Sequence, residues 1–108
     1  MGRLSIAVVG GGVGGLAAAI ALQKSGHAVT VLEQASRYGR VGADINLTPN
    51  AVKVADGLGA GAALRDKGAQ PTHRISRTWD TGAETSRLEM AAAAERDYHA
   101  PQITIHRA

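Results

Sequence analysis

Cysteine and phenylalanine are both absent, and only three aromatic side chains occur: Tyr38, Trp79 and Tyr98. Without cysteine there is no disulfide framework, no thiolate metal site and no cysteine nucleophile. With so few aromatics and an alanine-rich apolar fraction, 108 residues bury little area per residue, so independent stability is expected to be weak. Charge is not concentrated either. Twelve Lys and Arg against nine Asp and Glu leave a net charge of +3. The basic residues are scattered, with Arg74 and Arg77 the nearest thing to a cluster, which argues against a nucleic-acid partner. The histidines at 27, 73, 99 and 106 show no metal-ligand spacing, so no metal site is expected. No serine lies in a G-x-S-x-G elbow, and the glycine run leads into Leu16 rather than Lys-Ser/Thr, which excludes a Walker A loop. No catalytic residue is assigned on this basis. Any reactivity has to come from a bound cofactor.

What the sequence does have is glycine, and above all the segment 6–33, IAVVGGGVGGLAAAIALQKSGHAVTVLE. A short apolar run ends in Gly10-x-Gly12-x-x-Gly15, a helical stretch follows, and a second apolar run closes on Glu33. Strand, glycine turn, helix, strand and acid in that order are the fingerprint of a βαβ dinucleotide-binding unit. Each position has a physical reason. Gly10 permits the positive φ of a tight turn. Gly12 lets backbone approach a pyrophosphate, and Gly15 lets the helix close on the strands. The helix from Val13 aims free N–H groups and the positive end of its dipole at phosphate. Glu33 can accept hydrogen bonds from both ribose hydroxyls of an adenosine, and its charge disfavours a 2′-phosphate there.

The stretch from Leu4 to Leu22 imitates a signal peptide or a membrane span. Its glycines and its continuation into QKSGHAVTVLE fit the βαβ unit instead, so no membrane span is expected and a cytoplasmic protein is the simplest reading. Leu4–Val9 reads as a strand apolar enough to be covered on both faces, Val13–Lys24 as a helix ended by Ser25-Gly26, and Ala28–Leu32 as a second strand. Ile45–Leu47 is a short extended piece. Thr48-Pro49 then caps and opens a helix running to Leu58, and a shorter helix covers 62–67. Residues 73–90 form a hairpin around Thr81-Gly82, 91–98 is ambiguous, and 102–106 is a final strand. The expected fold is α/β: an incomplete Rossmann-like βαβ unit with a parallel sheet, plus a β-hairpin.

With those residues in hand the chain resembles the FAD-dependent aromatic-ring monooxygenases, in particular the salicylate-hydroxylase and 6-hydroxynicotinate-monooxygenase branch. The resemblance covers all 108 residues. Its markers are VVGGGVGGLAAAIAL, VTVLEQA, Arg40-Val41-Gly42-Ala43-Asp44-Ile45, Thr48-Pro49-Asn50-Ala51 and Ile105-His106-Arg107-Ala108. It implies FAD as cofactor, with NADH or NADPH as co-substrate and a small aromatic acid as the molecule hydroxylated. It also implies that Gly14 and its neighbours lie against the FAD pyrophosphate, and that Glu33 and Gln34 lie beside the adenosine ribose. By the same resemblance Arg40 and the segment around Asn46 sit near the flavin, and Arg107 contacts the cofactor.

The pattern is not followed everywhere. Asp44 replaces the family's usual glycine, and Asn46 stands where hydroxynicotinate-acting relatives carry histidine. Family members also continue into a later G-D motif and a substrate domain, so residues 1–108 are expected to be the N-terminal portion of an FAD-binding domain and inactive alone. Two other readings stay open: a stand-alone, non-catalytic dinucleotide-binding module, and a fragment of an NAD-dependent dehydrogenase.

Overall fold

A computed structural model describes residues 2–39 and 42–106. The chain forms two compact units, Met1–Arg40 and Val41–Ala108.

The first unit holds β1 (Ser5–Val9), α1 (Val13–Lys24) and β2 (Ala28–Leu32). The two strands pair in parallel, with Ser5 opposite Ala28 and Val9 opposite Leu32. Parallel neighbours need a crossover, and α1 supplies it. Ile6, Val8, Val29 and Val31 make the half-buried face. Val8 lies beneath α1, where its Cγ1 is 3.5 Å from the place a Cβ on Gly15 would take. The expectation that both faces of this strand would be covered does not hold. Ser5, Ala7 and Val9 alternate outward, and Val9 is 84% exposed. Among the described residues of this unit, α1 covers one side of the pair.

Helix α1 follows Gly12, its extended N-cap residue, and stops where its last carbonyls are taken by the following backbone. The N–H groups of Ser25, Gly26 and His27 donate to Ala21, Gln23 and Leu22. The Ser25 hydroxyl also donates to the Ala21 carbonyl at 3.1 Å.

The second unit contains β3 (Asp44–Leu47), α2 (Pro49–Leu58), α3 (Gly61–Lys67), β4 (His73–Arg77), β5 (Glu84–Glu89), α4 (Ala91–Tyr98) and β6 (Ile103–His106). Thr48 precedes α2 in extended conformation and Pro49 takes its first turn, as the dipeptide requires. Thr48 offers no side-chain cap to the helix backbone; its hydroxyl donates instead to the Asn50 side-chain carbonyl. Gly59 closes α2 in the left-handed region.

Strands β3 and β6 pair antiparallel, Asp44 opposite His106 and Leu47 opposite Ile103. This pairing joins segments far apart in sequence and was not among the expectations. Hence the parallel sheet is limited to β1 and β2, and β3 builds a separate antiparallel ribbon. One face of that ribbon carries Ile45, Leu47, Ile103 and Ile105, and Ile103 is fully buried, as is Val52 of α2. Ala94 and Ala100 complete this small core. The ambiguous segment 91–98 is helical and ends at His99 with φ 55°. The hairpin β4–β5 is present, with an irregularity between Ser76 and Arg77. All its strand residues are exposed, and Trp79 in its connection is 97% exposed.

Candidate dinucleotide site

The site is built where β1 gives way to α1. Gly10 takes φ 104°, a conformation costly for any residue with a Cβ, and its N–H donates to the Leu32 carbonyl at 2.7 Å. That bond ties the turn to the end of β2. Gly15, one turn into the helix, passes so close to the Gly10 carbonyl that a Cβ there would collide with it. Gly10, Gly12 and Gly14 differ from Gly15: a Cβ at any of the three would meet no other atom within 4 Å. Space is therefore open above the turn, where the fingerprint puts a ligand.

Helical bonding begins with the Leu16 N–H, which donates to the Gly12 carbonyl at 2.9 Å. The N–H groups of Val13, Gly14 and Gly15 precede it and have no partner within the helix. No acidic residue lies in the first turn and no side chain caps it. The positive end of the helix is thus left uncompensated by its own side chains.

Glu33, just past β2, returns over this turn. One carboxylate oxygen accepts the Gly11 N–H at 2.7 Å, and the other accepts the Ala35 N–H at 2.8 Å. The Ala35 bond, then the Gly11 bond and a smaller one from Gln34, hold the carboxyl below its ordinary value of 4.5 despite partial desolvation. The carboxylate keeps acceptor capacity for an outside donor. Gln34 itself is exposed beside it.

Two participants were missed from the sequence. Gly11, at the variable position of the motif, is buried. A Cβ on it would lie 2.5 Å from the Tyr38 hydroxyl oxygen and 3.2 Å from Glu33 Oε2. Five glycines within Gly10–Gly15 were a visible signal that the variable position is also constrained; nothing local announced Tyr38.

Asn46 belongs to the second unit, exposed on β3, where its side-chain oxygen accepts the Thr104 hydroxyl at 2.6 Å. Arg40 and Arg107 fall outside the described residues. Among the described residues no group of His, Asp and Glu is placed to hold a metal ion, and no helix is long and apolar enough to cross a membrane.

A parallel βαβ crossover with this turn and this acid defines a dinucleotide-binding unit of the Rossmann-like class. Residues 8–59 match the family described as an NAD(P)-binding Rossmann-like domain. The chain is 38% identical over 106 residues to 6-hydroxynicotinate 3-monooxygenase of Bordetella bronchiseptica, covering 98% of this chain and 28% of that protein. Identity to the enzyme of the same name from Pseudomonas fluorescens is 40% over 102 residues, 94% of this chain and 26% of that one. The fold superimposes with a TM-score of 0.82 on Klebsiella pneumoniae HpxO complexed with FAD and uric acid, at 27% identity, covering 97% of this chain and 26% of that one. The chain is accordingly similar to the 6-hydroxynicotinate 3-monooxygenases over about a quarter of the length of those relatives.

Proposed function

We propose that these residues form the N-terminal FAD-binding portion of a flavin-dependent monooxygenase acting on a small aromatic acid. The observation that carries the dinucleotide part is the convergence of the open glycine turn, the free start of α1 and the Glu33 carboxylate within one unit. The structure fits such a group. Space above Gly10, Gly12 and Gly14 suits a pyrophosphate, and the N–H groups of Val13, Gly14 and Gly15 are the natural donors to it. Glu33, with Gln34 beside it, accepts the ribose hydroxyls.

That the dinucleotide is FAD, and that the chemistry is aromatic hydroxylation, is supported by the relatives named above and by the HpxO complex. When bound, FAD supplies the redox chemistry by which NADH or NADPH and dioxygen oxygenate an electron-rich ring. The chain's own contribution is binding and orientation: the turn neutralises phosphate charge and Glu33 fixes the adenosine end. Arg40, Asn46 and Arg107 are carried into the reading by family pattern, near the flavin and cofactor. An aromatic acid such as a hydroxynicotinate or hydroxybenzoate is the class of substrate we assign to the whole enzyme. We assign these 108 residues no turnover by themselves, and a cytoplasmic setting agrees with the cysteine-free composition and the need for nicotinamide cofactor.

The test is a flavin-fluorescence titration of the intact protein carrying this chain, with and without Glu33→Ala. Weaker FAD binding in the variant is expected; unchanged affinity would remove Glu33 from the site. The match to an NAD(P)-binding domain family favours a second reading, a unit that takes NAD rather than FAD. Competition between the two dinucleotides decides it, since displacement of FAD by low concentrations of NAD would reverse the assignment.

A further inference from the structure

We propose that Tyr38 is a positioning residue of this site, an aromatic platform for the adenine of the bound dinucleotide. The proposal rests on the reading that an adenine dinucleotide occupies the glycine turn. Three groups meet at Gly11. Its N–H is held by the Glu33 carboxylate at 2.7 Å, and its α-carbon faces the Tyr38 hydroxyl so closely that a Cβ would lie 2.5 Å from that oxygen. Gly11 is buried for this reason, although Gly12 beside it is exposed. The phenol tip is thereby lodged against the turn, next to the carboxylate that receives ribose hydroxyls.

The rest of the side chain does the opposite. Tyr38 is 71% exposed, and it is the single aromatic residue of the first unit. A ring whose hydroxyl end lies against the turn while the side chain is otherwise largely exposed is what a planar base needs, because it is placed there before binding. A purine carried by a ribose on Glu33 lies within a sugar's breadth of that ring. The arrangement also accounts for glycine at the variable position of the motif: any Cβ there would push the hydroxyl, and the ring with it, off the turn.

The experiment is an NMR titration of the intact protein carrying this chain with ADP-ribose, following backbone amides of the glycine turn and the ring protons of Tyr38 and Tyr98. Stacking shifts the Tyr38 ring protons upfield and leaves Tyr98 unmoved. Tyr38→Ala weakens ADP-ribose binding by roughly tenfold, in the range of one lost base–aromatic stack, whereas Tyr38→Phe keeps most of the affinity. Gly11→Ala, with the ring intact but displaced, reduces both the shift and the affinity. Turn amides that respond while the Tyr38 ring does not, with full affinity in Tyr38→Ala, would overturn the platform and leave the dinucleotide site standing. Turn amides that do not respond at all would overturn the dinucleotide reading itself, and this inference with it.

Discussion

Glu33 accepts the amide proton of Gly11 at 2.7 Å, joining the end of β2 to the turn that leaves β1. The bond makes one carboxylate serve two purposes. It fixes the conformation of a glycine turn with no side chain of its own to hold it, and it fixes the direction in which the remaining lone pairs point. On the proposed reading a dinucleotide would meet an acceptor already oriented, with little further ordering to be done on binding. On the same reading charge adds selectivity, because a carboxylate that accepts a ribose hydroxyl would repel a 2′-phosphate.

The substitution Glu33→Gln should separate these effects. The side-chain amide retains one acceptor for the N–H of Gly11 or Ala35 but sets an NH2 group against the other N–H. Affinity for ADP-ribose should fall by about tenfold, the scale of a lost hydrogen bond to a charged group. Affinity for the 2′-phosphorylated analogue should fall less or rise. Isothermal titration with both ligands checks this, and an equal loss for the two would show that charge does not discriminate at this position.

The pH dependence follows from the same bonds. The N–H groups of Ala35 and Gly11 favour the ionised form, so the folded carboxyl titrates below its ordinary 4.5. A depressed folded value means that the contribution of Glu33 is fully present above 4.5 and is lost as pH falls through the lower folded value. ADP-ribose affinity should therefore be flat from neutral pH down to that point, as far as Glu33 governs it, and decline only below. The carboxyl resonance of Glu33 followed by NMR gives the assignment; a titration above 4.5 would contradict the two bonds.

In the second unit stability rests on very few side chains. Ile103 and Val52 are the largest side chains fully buried among its described residues. Ile103→Val should cost about 0.5–1.5 kcal/mol and Ile103→Ala about 2–5 kcal/mol. Trp79→Ala, at a position 97% exposed, should stay within about 0.5 kcal/mol. Denaturant melts of the three variants rank them, and a Trp79 effect as large as that of Ile103 would mean the hairpin is packed in solution.

What the sequence disclosed and withheld divides along a physical line. Features set by neighbouring residues were legible: α1 between Val13 and Lys24, the Thr48-Pro49 helix start, the Gly59 stop and the β4–β5 hairpin all occur where their local signals put them. Features set by distant residues were not. Nothing within Asp44–Leu47 says that its partner is Ile103–His106, and nothing near Tyr38 says that its hydroxyl reaches Gly11. The apolar run of β1 looked doubly covered because hydrophobicity records what a strand tolerates, whereas Val9 and Leu32 show what these residues actually meet. Within the site, the glycines and Glu33 were readable as a pattern, but Glu33 as a clamp on Gly11 required the fold.

The glycines of the turn offer the sharpest separation of folding from binding, since two adjacent ones should respond in opposite ways. A methyl group at Gly15 would strike the Gly10 carbonyl, which is backbone and cannot swing aside. Gly15→Ala should therefore force α1 away from β1 and destabilise the unit by about 1–3 kcal/mol, the usual cost of overpacking. At Gly14 a methyl meets nothing within 4 Å, and alanine is the better helix former by about 1 kcal/mol. Gly14→Ala should hold or raise the melting temperature, while its methyl stands in the open space assigned to pyrophosphate and lowers ADP-ribose affinity. Circular-dichroism melts paired with ligand titrations on both variants distinguish the two outcomes. A Gly14→Ala protein that is more stable and binds ADP-ribose as well as before would show that the space over α1 is not where the phosphates sit.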